Sequence, residues 1–148
     1  MPYQCFLIEP IYGDDIPGPI DPRDWPPNKY IIGWKRPDTG EVKEHNSGFG
    51  IGAMWRAVWQ PKNCDWTNET EPHILVRCPN GDGNRDWDID SRCSNCTLPN
   101  DKLHRCWVRS GVAPNLTVNK AGLTCSAGAG SILLPKWHGF LTNGILTP

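Results

Sequence analysis

The chain has no long hydrophobic run. No apolar stretch approaches the roughly 18 residues that a membrane-spanning helix needs, so a transmembrane span is not expected. Nor does the start, Met1-Pro2-Tyr3-Gln4-Cys5, have the basic-then-apolar pattern of a secretory leader, and the chain is expected to stay in the cytosol. Sustained 3.6-residue periodicity is also missing, so no helix longer than two turns is predicted. A net charge of −1 gives no global field that would gather nucleic acid. Acids are scarce near the C-terminal end: residues 101–148 hold only Asp101 against Lys102, Arg105, Arg109, Lys120 and Lys136, a mildly basic third.

Gly and Pro, by contrast, are abundant, 15 of each in 148 residues. Both break helices, Gly through backbone entropy and Pro through its missing N–H and a steric clash. Short extended segments joined by turns fit this composition, and eight Trp residues supply large anchors for a core. The length suits one domain. We therefore expect a mostly β, single small β-rich domain with long Gly/Pro loops and a Cys/His-stabilised C-terminal half.

Residues 1–37 hold eight prolines, and residues 1–45 read as an extended Pro-rich wrap or docking arm pinned by Trp25 and Tyr30; residues 46–148 would form the β-rich domain. Tyr30–Trp34 reads as a strand, Pro37-Asp38-Thr39-Gly40 as a turn and Glu41–Lys43 as a returning arm. Gly48, Gly50 and Gly52 alternate before a strand pattern at Ala53–Trp59. They lack the Lys-Ser/Thr of a phosphate-binding loop, so a close backbone approach explains them better. His73–Cys78 is a strand, and Asp86-Trp87-Asp88-Ile89-Asp90 alternates apolar with acidic, so the two make a hairpin across the turn-rich residues 79–85. Cys106–Arg109, Leu116–Val118 and Ile132–Leu134 are short strands. Asn143-Gly144 between apolar flanks marks a two-residue hairpin turn. The three sequons at Asn68, Asn95 and Asn115 are read as turn chemistry.

Seven cysteines, at 5, 64, 78, 93, 96, 106 and 125, fit a disulfide framework poorly, being odd in number and in a reducing compartment. Cys93-x2-Cys96-x7-His104-x-Cys106 places four soft donors within fourteen residues. A Cys-x2-Cys bend sets two thiolates at two corners of a tetrahedron about 2.3 Å from zinc, and a returning His and Cys can close the other two. With every ligand from protein, such a zinc is structural. A second four is open to the same chemistry: Cys96, Cys106, Cys125 and His138.

Two other functions compete with this one. Cys125 with His138, oriented by Asp90 or Asn143, would be a thiolate and its base, making a small Cys/His hydrolase. Arg105, Trp107 and Arg109 interleave charge with a ring, as single-stranded nucleic-acid-binding zinc knuckles do when they stack on unpaired bases.

The stretch Trp87-Asp-Ile-Asp-Ser-Arg-Cys-Ser-Asn-Cys-Thr97, followed by His104-Arg-Cys-Trp-Val-Arg-Ser-Gly111 and by Pro114–Ile132 ending at His138-Gly-Phe, resembles an uncharacterised family of small tailed-bacteriophage proteins. The match covers roughly residues 53–147. More distantly, residues 114–143 are similar to a domain of unknown function found in phages and near bacterial ubiquitin-like conjugation genes, a domain suspected of binding metal. The resemblance implies a viral gene product in the cytoplasm of the bacterial host or on the virus particle. It implies an accessory or structural module that binds another macromolecule, a protein in first place, on a zinc-stabilised β scaffold. Relatives with Ala at the position of Cys93 tilt the ligand set toward Cys96, Cys106, Cys125 and His138, with Cys93 and His104 as alternatives.

Overall fold

The computed structural model describes residues 2–15, 29–56, 73–89, 107–119 and 131–148. They form a small β-rich domain with a single 3-10 turn at Asn46–Gly48. The strands are β1 (Tyr3–Gln4), β2 (Phe6–Leu7), β3 (Glu9–Asp15), β4 (Lys29–Lys35), β5 (Val42–Lys43), β6 (Ala53–Arg56) and β7 (Ile74–Asn80). They continue as β8 (Gly83–Asp88), β9 (Val108–Ser110), β10 (Thr117–Asn119), β11 (Ile132–Leu134), β12 (Trp137–Thr142) and β13 (Ile145–Thr147).

A central sheet, in the order β2-β6-β7-β8, organises the rest. Its pleat sends alternate residues to opposite faces, and the pairing Met54↔Val76↔Trp87 against Trp55↔Leu75↔Asp88 fixes which goes where. Met54, Ile74, Val76, Cys78, Trp87 and Ile89 join a core with Cys5, Leu116, Val118, Ile132, Leu134, Leu141 and Leu146. Most of that second group belongs to the sheet β1-β13-β12-β11 and to the β9–β10 pair. On the opposite face, Phe6, Ala53 and Trp55 meet Ile8, Trp34 and Phe49 in a second core. The central strands are thus apolar on both sides, and β7 reads as a nearly continuous run rather than an alternation.

The N-terminal strands tie the sheets together. β1 pairs antiparallel with β13, matching Tyr3 to Leu146. One residue later the Cys5 N–H donates to the Gly144 carbonyl at 2.8 Å. β2 then runs parallel to β6, with Phe6 opposite Ala53, and the Ile8 N–H reaches the Met54 carbonyl at 2.9 Å. β3 goes on to pair antiparallel with β4 through two register irregularities. Gly52 makes the crossing possible. It sits at φ +100, and a Cβ there would lie 2.6 Å from the Gln4 carbonyl oxygen.

Turn chemistry sets the registers. Asn143 and Gly144 have φ values of +48 and +74, the pattern of a two-residue type I′ turn. The turn is docked as well as closed: Asn143 N–H donates to Thr117 Oγ1 at 2.9 Å, and Gly144 N–H donates to the Leu116 carbonyl at 2.9 Å. In the β7–β8 hairpin Asn80 stands opposite Gly83, leaving a two-residue loop with Gly81 at φ +64. The strands therefore run further into the Gly/Asn-rich segment than its composition suggested. That loop leans on the β11–β12 turn, where Asn80 Oδ1 accepts from the Lys136 N–H at 2.7 Å.

Of residues 1–45, the described part is paired strand at both ends, and the cluster from Pro17 to Pro27 lies outside the described residues. Two predictions follow from the packing. Leu146, fully buried between the two layers of the larger core, should lose about 2–5 kcal/mol of unfolding free energy when changed to Ala, read from urea titration. Gly52→Ala should destabilise by more than about 1 kcal/mol in the same measurement, because the added methyl meets backbone in a region of φ that L residues avoid.

Candidate functional site

Most of the sequence-derived ligand set cannot be placed. Cys93, Cys96, His104, Cys106 and Cys125 lie outside the described residues, as do Asp90 and Arg105. Among the described residues, no three His, Cys, Asp or Glu side chains come together in a group that could hold a metal ion.

His138 is on β12 with its side chain on the exposed face. Its Nε2 lies 2.7 Å from Ser131 Oγ, and its ring centroid is 6.2 Å from that of Phe140. Asn143, read as an orienting partner for His138, instead directs its carboxamide oxygen to Thr117 Oγ1 at 3.4 Å. Trp107 packs edge-on against Trp87, with centroids 5.3 Å apart and planes at 87°. Its ring is therefore engaged inside the protein as part of the larger core. Arg109 is half-buried on β9.

The two described cysteines are core residues. Burial pushes the Cys5 thiol up to about 12. Cys78 is pushed up as well, first by burial and then by the nearby Cys5 and Asp86. A thiol held protonated at neutral pH is a poor nucleophile.

Polar side chains concentrate on one face of the β7–β8 hairpin, the face shared with Trp55. Arg77, 3 % exposed, stands directly opposite Asp86 and binds it through Nε and Nη2 at 2.8 and 3.3 Å. Its Nη1 donates to the carbonyls of Asn46 and Phe49, both at 2.7 Å. The guanidinium carbon lies 4.9 Å from the Trp55 ring. The guanidinium thus holds the segment around Asn46–Phe49 to the sheet while bridging across to β8, which makes it a structural clamp. The Trp55 indole N–H is buried without a hydrogen-bond partner, an exception to the usual pairing of buried polar groups.

Next along that face, His73 Nδ1 lies 2.6 Å from Asp88 Oδ2, with the two side chains 11 % and 24 % exposed. The sequence reading missed this pair, although it had the means to find it. Once Asn80 is set opposite Gly83, Arg77 falls opposite Asp86, Leu75 falls opposite Asp88, and His73 stands diagonal to Asp88.

The third feature is apolar and exposed. Trp34 anchors the root of the β3–β4 ribbon in the smaller core. Beyond it, Tyr12, Tyr30, Ile31 and Ile32 are exposed, joined by Val42 on β5, and Ile32 retains 62 % of its accessible surface. Five of the eight exposed large apolar side chains among the described residues thus belong to one three-stranded sheet.

Comparison with family models, with curated proteins and with solved structures gives no match. The site must be read from its own chemistry.

Two predictions belong here. In the unfolded chain the thiols ionise near the ordinary value of 9.0, while Cys5 in the folded protein stays protonated to about 12. Above pH 9 the unfolded state therefore binds fewer protons, and stability should fall as pH rises, more shallowly in a Cys5→Ala variant when both are followed by urea midpoint. Removing the buried guanidinium with Arg77→Ala should cost about 1–3 kcal/mol by the same method, since two carbonyls lose their donor while Asp86, 39 % exposed, can be hydrated.

Proposed function

We propose that the chain is a non-catalytic, phage-encoded binding module that engages a protein partner through the exposed β3–β4–β5 sheet, on a β scaffold that a structural zinc ion helps to hold. The observation that carries the reading is the grouping of Tyr12, Tyr30, Ile31, Ile32 and Val42 on a ribbon rooted by Trp34. Contiguous exposed apolar surface rimmed by polar residues marks interaction sites in monomeric proteins. Tyr and large aliphatic side chains are suited to such contacts, because they bury much area and lose little conformational freedom.

The rim supplies polarity. Glu9 stands opposite Lys35 in the ribbon register, which sets an acid on β3 beside a base on β4. At the root Arg36 stacks over Phe6, 3.8 Å from its ring centroid, and holds Asp38 at 2.7 Å. The hydrogen bond and charge of Arg36 keep the Asp38 carboxyl below its ordinary value. The turn that orients β5 is thus internally tied.

Support for zinc comes from the spacing of Cys93, Cys96, His104, Cys106, Cys125 and His138, and support for a viral origin comes from the resemblance of residues 53–147. A protein partner is favoured over nucleic acid because the Trp107 ring packs against Trp87 and the net charge is −1.

A photoreactive phenylalanine at Ile32 or Val42 tests the binding surface. Irradiation in infected cells should give one adduct of fixed mass from both positions and none from Val112, which is 80 % exposed but far along the chain. Excess unlabelled protein should suppress the adduct, and an Ile31→Asp, Ile32→Asp double variant should not. No adduct at Ile32 and Val42, or equal labelling at Val112, would overturn the reading.

A further inference from the structure

We infer that Asn143 is a site of spontaneous conversion to isoaspartate, that docking of its turn on Leu116 and Thr117 holds this chemistry shut in the folded chain, and that conversion there unseats β1.

An Asn followed by Gly is the step at which a chain most readily modifies itself, because the Gly has no side chain to hinder approach to its backbone nitrogen. Gly144 N attacks Asn143 Cγ, and a bond forms between them. The Cγ–Nδ2 bond breaks, and the leaving nitrogen takes the proton from Gly144 N and departs as ammonia. Water then opens the cyclic imide at either carbonyl and gives aspartate or isoaspartate. Water is the only co-reactant, and nothing is oxidised or reduced.

Both reacting groups are held elsewhere in the fold. The nucleophile is committed through its proton, since Gly144 N–H donates to the Leu116 carbonyl at 2.9 Å. The electrophile is held by Thr117, whose hydroxyl donates to Asn143 Oδ1 at 3.4 Å and accepts from Asn143 N–H at 2.9 Å. Attack therefore requires the turn to leave β10. Asn143 is exposed, so protection rests on these bonds rather than on burial.

The same turn is where the modification does most. The Gly144 carbonyl accepts from Cys5 N–H at 2.8 Å and from Gln4 Nε2 at 3.2 Å, and the turn sets Thr142 opposite Ile145. Isoaspartate carries the main chain through the side-chain carbon and lengthens the backbone inside the turn. The register of β12 against β13 is lost there, and with it the seat of Cys5. A molecule whose corner opens long enough to react cannot close it again. The chain's other Asn-Gly step, Asn80-Gly81, is held by a different element: Asn80 Oδ1 accepts from Lys136 N–H at 2.7 Å, and Gly81 N–H donates to the Lys136 carbonyl at 3.2 Å. It is an internal control.

The full-length chain, incubated in mildly alkaline buffer, provides the test, read by peptide mapping and by isoaspartate-specific methylation. Asn143 should convert roughly 10–100-fold more slowly in the folded parent than in the same chain in urea, because the bonds to Leu116 and Thr117 must open first. Thr117→Val should raise conversion at Asn143 several-fold and leave Asn80 at the parent rate, and Thr117→Ser should restore protection. The purified isoaspartate form should melt below the parent and lose slow exchange of the Cys5 amide hydrogen. Equal rates at Asn143 in the folded and urea-unfolded parent would overturn the inference. So would Thr117→Val without acceleration, or with equal acceleration at Asn80, the mark of general loosening. Should Thr117→Val fail to fold, the folded-against-urea comparison decides. An isoaspartate form as stable as the parent would overturn the unseating of β1.

Discussion

The extended segment from Tyr3 to Asp15 is the constraint on which the architecture depends. It is bonded in turn to the last strand, to a central strand and to the ribbon, so one stretch of backbone satisfies the edges of three sheets. Each sheet is too short to be stable alone, since a few paired residues cannot repay the entropy of ordering them. Sharing a strand lets the sheets stack on common cores. Met54 and Val76 turn to one core while Phe6 and Trp55 turn to the other. The parallel step of β2 beside β6 follows from this route, because the segment enters the central sheet only after passing β13.

Polar groups are distributed accordingly. The face toward the larger core is apolar apart from the thiols of Cys5 and Cys78, both held protonated by burial. The opposite face carries the Arg77–Asp86 ion pair and the His73–Asp88 hydrogen bond. Arg77 spends all its contacts on internal acceptors and acts as a fastener. His73 meets Asp88 through Nδ1 at 2.6 Å near the open end of the same hairpin.

Much of this was legible in the residues. Asn143-Gly144 announced its turn because only residues tolerant of positive φ can fill both positions. The alternation of Asp86, Trp87, Asp88 and Ile89 announced a strand with one wet face, and Trp87 and Ile89 are indeed buried. The Pro37–Gly40 turn and the return of Val42–Lys43 onto Trp34 and Lys35 were equally local signals. The strands before Asp15 were not legible as such. Their two-residue lengths carry no periodicity, and their partners lie at the far end of the chain, where local pattern has no reach. The His73–Asp88 pair fell between these cases. Each residue looked unremarkable alone, and only the register of the hairpin brings them together.

The pairing of β1 with β13 carries a consequence for how the protein comes into being. Gln4 and Gly144, which share a hydrogen bond, are 140 positions apart. During synthesis at about 5–20 residues per second, the first strand emerges many seconds before its partner exists. Until then Tyr3 and Gln4 have no strand to pair with, whereas Phe6 and Ile8 can already meet β6, and the unpaired edge of the nascent segment is open to any other strand it meets. Assembly of the larger core must therefore await the synthesis of β11–β13, and the newborn chain depends in that interval on whatever shields its apolar segments.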